Sequence, residues 1–132
     1  MPRRKILVVD DDPDIVAYLS SFLEDNGYVM DSANDASSAR TAIDRFQPDA
    51  VLIDVLMPGR SGLDLLVNIR NDPRWCNLPV LVITGHDKIL QDDCQSYFGR
   101  HGVRGPDGVL GKPVDRESLL SMLKQIPGFS QV

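Results

Sequence analysis

A chain of 132 residues is the size of one domain and can bury about two thirds of its unfolded surface. Its make-up, 42% hydrophobic and 25% charged with a formal net charge of −5, is that of an ordinary globular domain and argues against direct binding to nucleic acid, whose phosphates need basic partners. No apolar run approaches the roughly 18 residues of a membrane span, Ile6 to Val9 is too short for a signal-peptide core, and Cys76 and Cys94 form no C-x-x-C pair, so a cytoplasmic chain with two free thiols is expected.

Strand and helix patterns alternate five times along the chain. Residues 5–10 read as a strand behind the short basic flank Arg3-Arg4-Lys5. Asp12 can cap a helix with Pro13 in its first turn; Ile15, Leu19, Phe22 and Leu23 mark one face, and Gly27 sits where the helix stops. Residues 28–33 form a weaker strand with the character of an edge. Ala36, Ala39, Ile43 and Phe46 mark a second helix ended by Gln47-Pro48. Residues 50–54 are the third strand, and residues 57–62 a loop of turn formers. Leu63, Leu66 and Ile69 mark a third helix, and Pro79 opens a fourth strand over residues 80–84. Leu90, Cys94, Tyr97 and Phe98 fit a fourth helix starting near Asp87, followed by a long loop over residues 99–107. Residues 108–111 are a short fifth strand. Asp115 caps the last helix, with Leu119, Leu120, Leu123 and Ile126 facing inward and Pro127 ending it. Such alternation implies right-handed crossovers and a parallel sheet with helices on both faces.

In a parallel sheet ligands sit beyond the carboxyl ends of the strands. The run Ile6-Leu7-Val8-Val9 ends in Asp10-Asp11-Asp12, and Ala50-Val51-Leu52-Ile53 ends in Asp54. Carboxylates gathered so closely repel one another, which suits a site that holds a cation or uses a carboxylate chemically. Thr84 ends the fourth strand and Lys112 follows the fifth. Hard carboxylate oxygens suit Mg²⁺, Lys112 offers a point charge, and Thr84 offers a hydroxyl donor. A divalent ion, an ammonium, a hydroxyl and a nucleophilic carboxylate together are what phosphoryl transfer needs. Asp12 and Asp14 are read as helix-start acids that complement the dipole, and Trp75, Tyr97 and Phe98 as packing residues.

These motifs resemble the receiver domain of two-component response regulators over nearly the whole chain. The ordered set is an acidic pair after the first strand, Asp54 in Ile-Asp-Val-Leu-Met-Pro-Gly, Thr84 in Val-Ile-Thr-Gly, and Lys112-Pro113. The resemblance implies an α/β, flavodoxin-like (βα)5 doubly wound parallel sheet of order 2-1-3-4-5, a single receiver domain over residues 1–132 with its core at about 4–126, and no output domain in this chain. Asp54 would be the phosphoacceptor. Asp11 and Asp54 would bind Mg²⁺ (Mn²⁺ is the alternative) through their side chains, the Leu56 backbone carbonyl would be a third ligand, and Asp10 would act through a metal-bound water. Lys112 would bridge Asp54 and then the phosphoryl group, Thr84 would turn toward it, and the peptide before Pro113 would be cis. His86 would tune phosphoryl lifetime from the pocket mouth. The implied partners are a sensor histidine kinase or phosphotransfer protein and an unidentified downstream protein, with a homodimer also open. The chain would be a phosphoacceptor signalling domain rather than an enzyme, catalysing at most its own phosphorylation and dephosphorylation.

Two departures stand out. Receivers commonly carry an aromatic residue or histidine three positions before the lysine; here Val109 stands there, stiff at χ1 and without a polar tip. The stretch from Thr84 to Lys112 is longer than the family pattern, with the extra residues assigned to the 99–107 loop. The expected consequence is normal phosphorylation but an unusual output surface around the fourth helix, fifth strand and fifth helix. Two rival classes carry less weight. A phosphorylation-independent interaction module of the same fold would not need the complete acid, threonine and lysine set. An Mg²⁺-dependent hydrolase with an aspartyl-phosphate intermediate would need a general acid two positions after its nucleophile, which is Asp12 if Asp10 attacked or Leu56 if Asp54 did, and residues for a substrate cap, for which this chain has no room.

Overall fold

The computed structural model describes residues 4–54, 61–84, 99–100, 102–103, 105–111 and 114–126. Five strands, β1 (Lys5–Val9), β2 (Val29–Ala33), β3 (Ala50–Asp54), β4 (Val80–Thr84) and β5 (Gly108–Gly111), form one sheet in the order β2-β1-β3-β4-β5. Every neighbouring pair is parallel. Helices α1 (Pro13–Asp25), α2 (Ala36–Phe46) and α3 (Ser61–Asn71) make crossovers between strands, and a C-terminal helix (Arg116–Gln125) closes the described chain. The expected parallel α/β sheet and its order are thereby met.

The unbroken apolar runs of β1, β3 and β4 have a simple cause. Successive side chains leave a strand on opposite faces, and both faces of this sheet are covered. Leu7, Val9, Val51, Ile53, Val80 and Val82 enter one core with Ala39, Ile43, Leu66 and Ile69 of α2 and α3. Ile6, Val8, Leu52, Leu81 and Ile83 enter the other with Leu19 and Leu23 of α1 and Leu119 and Leu123 of the C-terminal helix. β2 is an edge strand, and only Ala33 within it is fully buried.

Among the described residues, three helices start on aspartate caps. Asp12 accepts from the Asp14 N–H at 2.9 Å, Asp35 from the Ser38 N–H at 2.7 Å, and Asp115 from the Ser118 N–H at 3.1 Å. Gly27 takes φ 90° just past α1, a conformation that glycine adopts without steric cost. Ser61 and Gly62 open α3 instead of ending the loop expected over residues 57–62. Gly99 and Arg100, placed in a loop by the sequence pattern, are helical. Gly102 follows at φ 67°, its N–H donating to the Gly99 carbonyl at 3.2 Å. The rest of the helix expected near Asp87, with Leu90, Cys94, Tyr97 and Phe98, lies outside the described residues. Trp75 is half-buried and packs against the α2–α3 core, as expected of a packing residue.

Arg70 was not singled out by sequence. It lies one helical turn beyond Leu66 on the inward face of α3, and an arginine on an apolar stripe is the signal that could have flagged it. Its guanidinium is buried and donates to the carbonyls of Leu78 at 2.6 Å, Cys76 at 3.3 Å and Gly105 at 3.2 Å, and to the Asp107 carboxylate at 3.0 Å. The chain leading into β5 is tied in this way to the end of α3, while Val103 packs on the α2–α3 core. These contacts lie at the amino ends of β4 and β5, opposite the edge where the acids gather.

Candidate functional site

The carboxyl ends of β1 and β3 are adjacent because Val9 pairs with Ile53. The next residues, Asp10 and Asp54, therefore arrive side by side. Both are buried, at 2% and 3% exposure, whereas Asp11 is exposed. Asp10, Asp11 and Asp54 each offer a carboxylate oxygen, and these oxygens lie within 4.8 Å of one another.

That spacing can be tested against a hard cation. Oxygens sharing one octahedral ion at ~2.1 Å are separated by ~3 to 4 Å. Three carboxylate oxygens within 4.8 Å of one another are close enough to converge on one such ion. Three carboxylates converging with two of them buried would repel strongly, and a divalent cation removes that repulsion. The donor set, all carboxylate, selects hard cations over zinc or copper. The cluster can coordinate a divalent metal.

The register carries the same edge across the sheet. Asp54 pairs with Ile83 and Thr84 with Gly111, so β4 and β5 end one residue beyond β3 on the same edge. The Thr84 backbone thus occupies the expected edge; its side chain, together with Leu56, His86, Lys112 and Pro113, lies outside the described residues. Val109 is half-buried on β5 and pairs with Val82.

Local hydrogen bonds show why the acids stand where they do. The Asp10 N–H donates to the Ala33 carbonyl at 3.0 Å, which carries the β1–β2 pairing one residue past β1. The Asp10 Oδ1 accepts the Asp12 N–H at 2.9 Å, folding the chain over into α1. A groove of about 640 Å³ opens beside the acids, lined by Asp10, Asp11, Pro13, Val16, Asn34 and Ser38 among others.

The match to known proteins agrees with this geometry. The profile of the response regulator receiver domain matches residues 6–124. The transcriptional regulatory protein TcrX of Mycobacterium tuberculosis is 40% identical over 121 residues, covering 92% of this chain and 48% of that protein. The DNA-binding dual master transcriptional regulator RpaA of Synechocystis is 33% identical over 126 residues, covering 96% of this chain and 49% of that protein. The chain thus spans about half the length of these two curated relatives. Among solved structures, chemotaxis response regulator CheY4 of Vibrio cholerae superposes with a TM-score of 0.79 at 27% identity, covering 94% of this chain and 98% of that one.

A parallel sheet of order 2-1-3-4-5 with an acid cluster at its carboxyl edge defines a phosphoacceptor signalling domain. The chain belongs to the response regulator receiver domain family. Domains of that family catalyse at most their own phosphorylation and dephosphorylation, and the acid cluster of this chain is consistent with that role. Among the described residues no helix is long and apolar enough to cross a membrane.

Proposed function

We propose that Asp54 is the residue that accepts the phosphoryl group, from a phosphohistidine of a sensor histidine kinase or phosphotransfer protein, in a magnesium-dependent reaction. One observation carries this reading: Asp54 is buried at the end of a central strand, with a carboxylate oxygen within 4.8 Å of oxygens from Asp10 and Asp11. A carboxylate oxygen of Asp54 attacks phosphorus, the bond from phosphorus to the donor imidazole breaks, and its electron pair leaves with the imidazole nitrogen. Asp11 and Asp54 would hold Mg²⁺ through their side chains, with the Leu56 carbonyl as a third ligand and Asp10 acting through water; Mn²⁺ fits the same donors. When bound, the ion neutralises charge on the transferring group. Lys112 pairs with Asp54 and then with the phosphoryl oxygens, and Thr84 donates its hydroxyl to the same group. His86, two positions on, tunes how long the phosphoryl group survives.

Phosphorylation then biases a two-state equilibrium in the segment following Thr84. Val109 has no ring to swing, so the output is a partner surface built from residues 87–126, presented to a downstream protein. Incubation with Mg²⁺ and a small phosphodonor should add one phosphoryl mass, and Asp54→Asn should abolish it. Labelling that persists in Asp54→Asn would sink the assignment. Adding a phosphoryl mimic should shift backbone resonances through residues 87–109; changes confined to the acid cluster would refute the output surface.

A further inference from the structure

The three acids of the β1–α1 connection have distinct surroundings. Asp10 is anchored at both ends, its N–H on the Ala33 carbonyl at 3.0 Å and its Oδ1 on the Asp12 N–H at 2.9 Å. Asp12 is the N-cap of α1, extended at φ −94° and ψ 110°; its side chain accepts the Asp14 N–H at 2.9 Å and its carbonyl accepts the Val16 N–H at 3.1 Å. Pro13, at the first helical position, fixes φ there. Asp11 stands between these two tied residues. Its carboxylate is exposed and, among the described residues, makes no hydrogen bond, yet it contributes an oxygen to the acid cluster. Asp12 contributes none.

We infer that Asp12 is a positioning residue for the cation: by capping α1 it fixes the path of residues 10–12 and so aims Asp11 at the site. The inference rests on the reading of the acid cluster as a magnesium site. The physical argument is preorganisation. An exposed side chain on a connection this short is aimed only by its backbone, and any freedom of that backbone must be lost when the ion binds. Asp10 ties the connection from the strand side and Asp12 from the helix side, so cutting the Asp12 tie loosens Asp11 without removing a ligand.

Calorimetric titration of the whole chain with MgCl₂ tests this. Asp12→Ala should weaken Mg²⁺ binding by about fivefold, the full worth of an N-cap if all of it is felt at the site. Asp12→Ser and Asp12→Asn, whose oxygens also cap, should bring affinity back to within ~2-fold of the parent. Asp35→Ala removes the equivalent cap of α2; it should cost similar thermal stability and leave Mg²⁺ affinity within ~2-fold of the parent. The inference is overturned if Asp12→Ala binds as the parent does. It is equally overturned if Ser and Asn are as weak as Ala, because charge at position 12 would then be acting. A comparable affinity loss in Asp35→Ala would overturn it too, as an effect of general stability. A parent chain that binds no Mg²⁺ would instead bring down the metal-site reading itself, and the inference with it.

Discussion

The Arg70 Nη2 donates to Oδ2 of Asp107 at 3.0 Å, and the same oxygen accepts the backbone N–H of Val80 at 2.8 Å. Asp107 returns the contact with its own N–H on the Val80 carbonyl at 2.8 Å. A side-chain oxygen and a backbone N–H together start the β4–β5 pairing, and a buried cation holds that side chain in place. The long connection entering β5 therefore has a fixed root, whatever its earlier residues do.

Truncating Arg70 should be costly. Its side chain is only 2% exposed while that of Asp107 is 28% exposed, so Arg70→Ala leaves three carbonyls and a partly covered carboxylate without this cation. Removing one member of a buried pair costs roughly 3–5 kcal/mol, and the partial exposure of Asp107 argues for about 3 kcal/mol. Urea unfolding should show this as a lower midpoint. Arg70→Ala combined with Asp107→Asn should lose less than the two single losses added together. Additive losses would mean that the pair does not act as a unit.

Gly108 opens β5 where the sheet meets the C-terminal helix. A Cβ there would lie 2.9 Å from the Leu81 Cδ2 and 3.1 Å from the Met122 Sδ. Leu81 is fully buried and cannot retreat, whereas the methionine can. Gly108→Ala should therefore destabilise the fold by about 1–3 kcal/mol, the usual cost of overpacking. Adding Met122→Ala should recover only the smaller part, because the Leu81 contact remains. Full recovery would move the obstruction from the strand to the helix.

Much of this was legible in the sequence because each feature left a local signature. Val80 to Ile83 had to be buried on both faces, since nothing polar interrupts the run, and Asp12 and Asp115 stood before helical periodicity. The acids of the cluster could be grouped before any fold was seen, because a parallel sheet delivers strand ends to one edge. Arg70 was missed for the opposite reason. Its partners Leu78, Gly105 and Asp107 are 8 to 37 positions away, and three of its four contacts are backbone carbonyls, which no side-chain pattern announces. Asp35 was missed because the edge strand before it gives too weak a pattern to mark where a cap should fall.

Among the described residues, the exposed Asp35 and Asp115 and the half-buried Asp72 link the fold to acid. The Ser38 backbone N–H lowers the pKa of Asp35, the Arg74 guanidinium that of Asp72, and the Ser118 hydroxyl that of Asp115, each below the ordinary 3.8. A carboxyl whose folded pKa is lowered stabilises the fold fully above its unfolded value and loses that contribution as pH falls through the folded one. Thermal midpoints should thus hold steady down to about pH 4 and then fall as these groups protonate. Asp35→Asn keeps a capping oxygen that does not titrate, so it should flatten the acid limb. An unchanged limb in that variant would remove Asp35 from the account.

The acid cluster itself should trade stability against metal binding. Asp10 and Asp54 are both buried, and each offers an oxygen within 4.8 Å of the other. Within that separation, with an effective dielectric of about 20, two unit charges repel by on the order of 3–4 kcal/mol before screening by solvent and neighbouring groups. Asp10→Asn keeps an oxygen for the Asp12 N–H and removes one charge. Without divalent metal this variant should be more stable than the parent, by about 1 kcal/mol or more. Adding Mg²⁺ should raise the midpoint of the parent, because a ligand bound only by the folded state stabilises it in proportion to the logarithm of its concentration. The same addition should raise the variant less, so that the two denaturation curves draw together or cross as Mg²⁺ increases. An Asp10→Asn chain that is less stable than the parent in chelator would show that repulsion is not what this cluster stores.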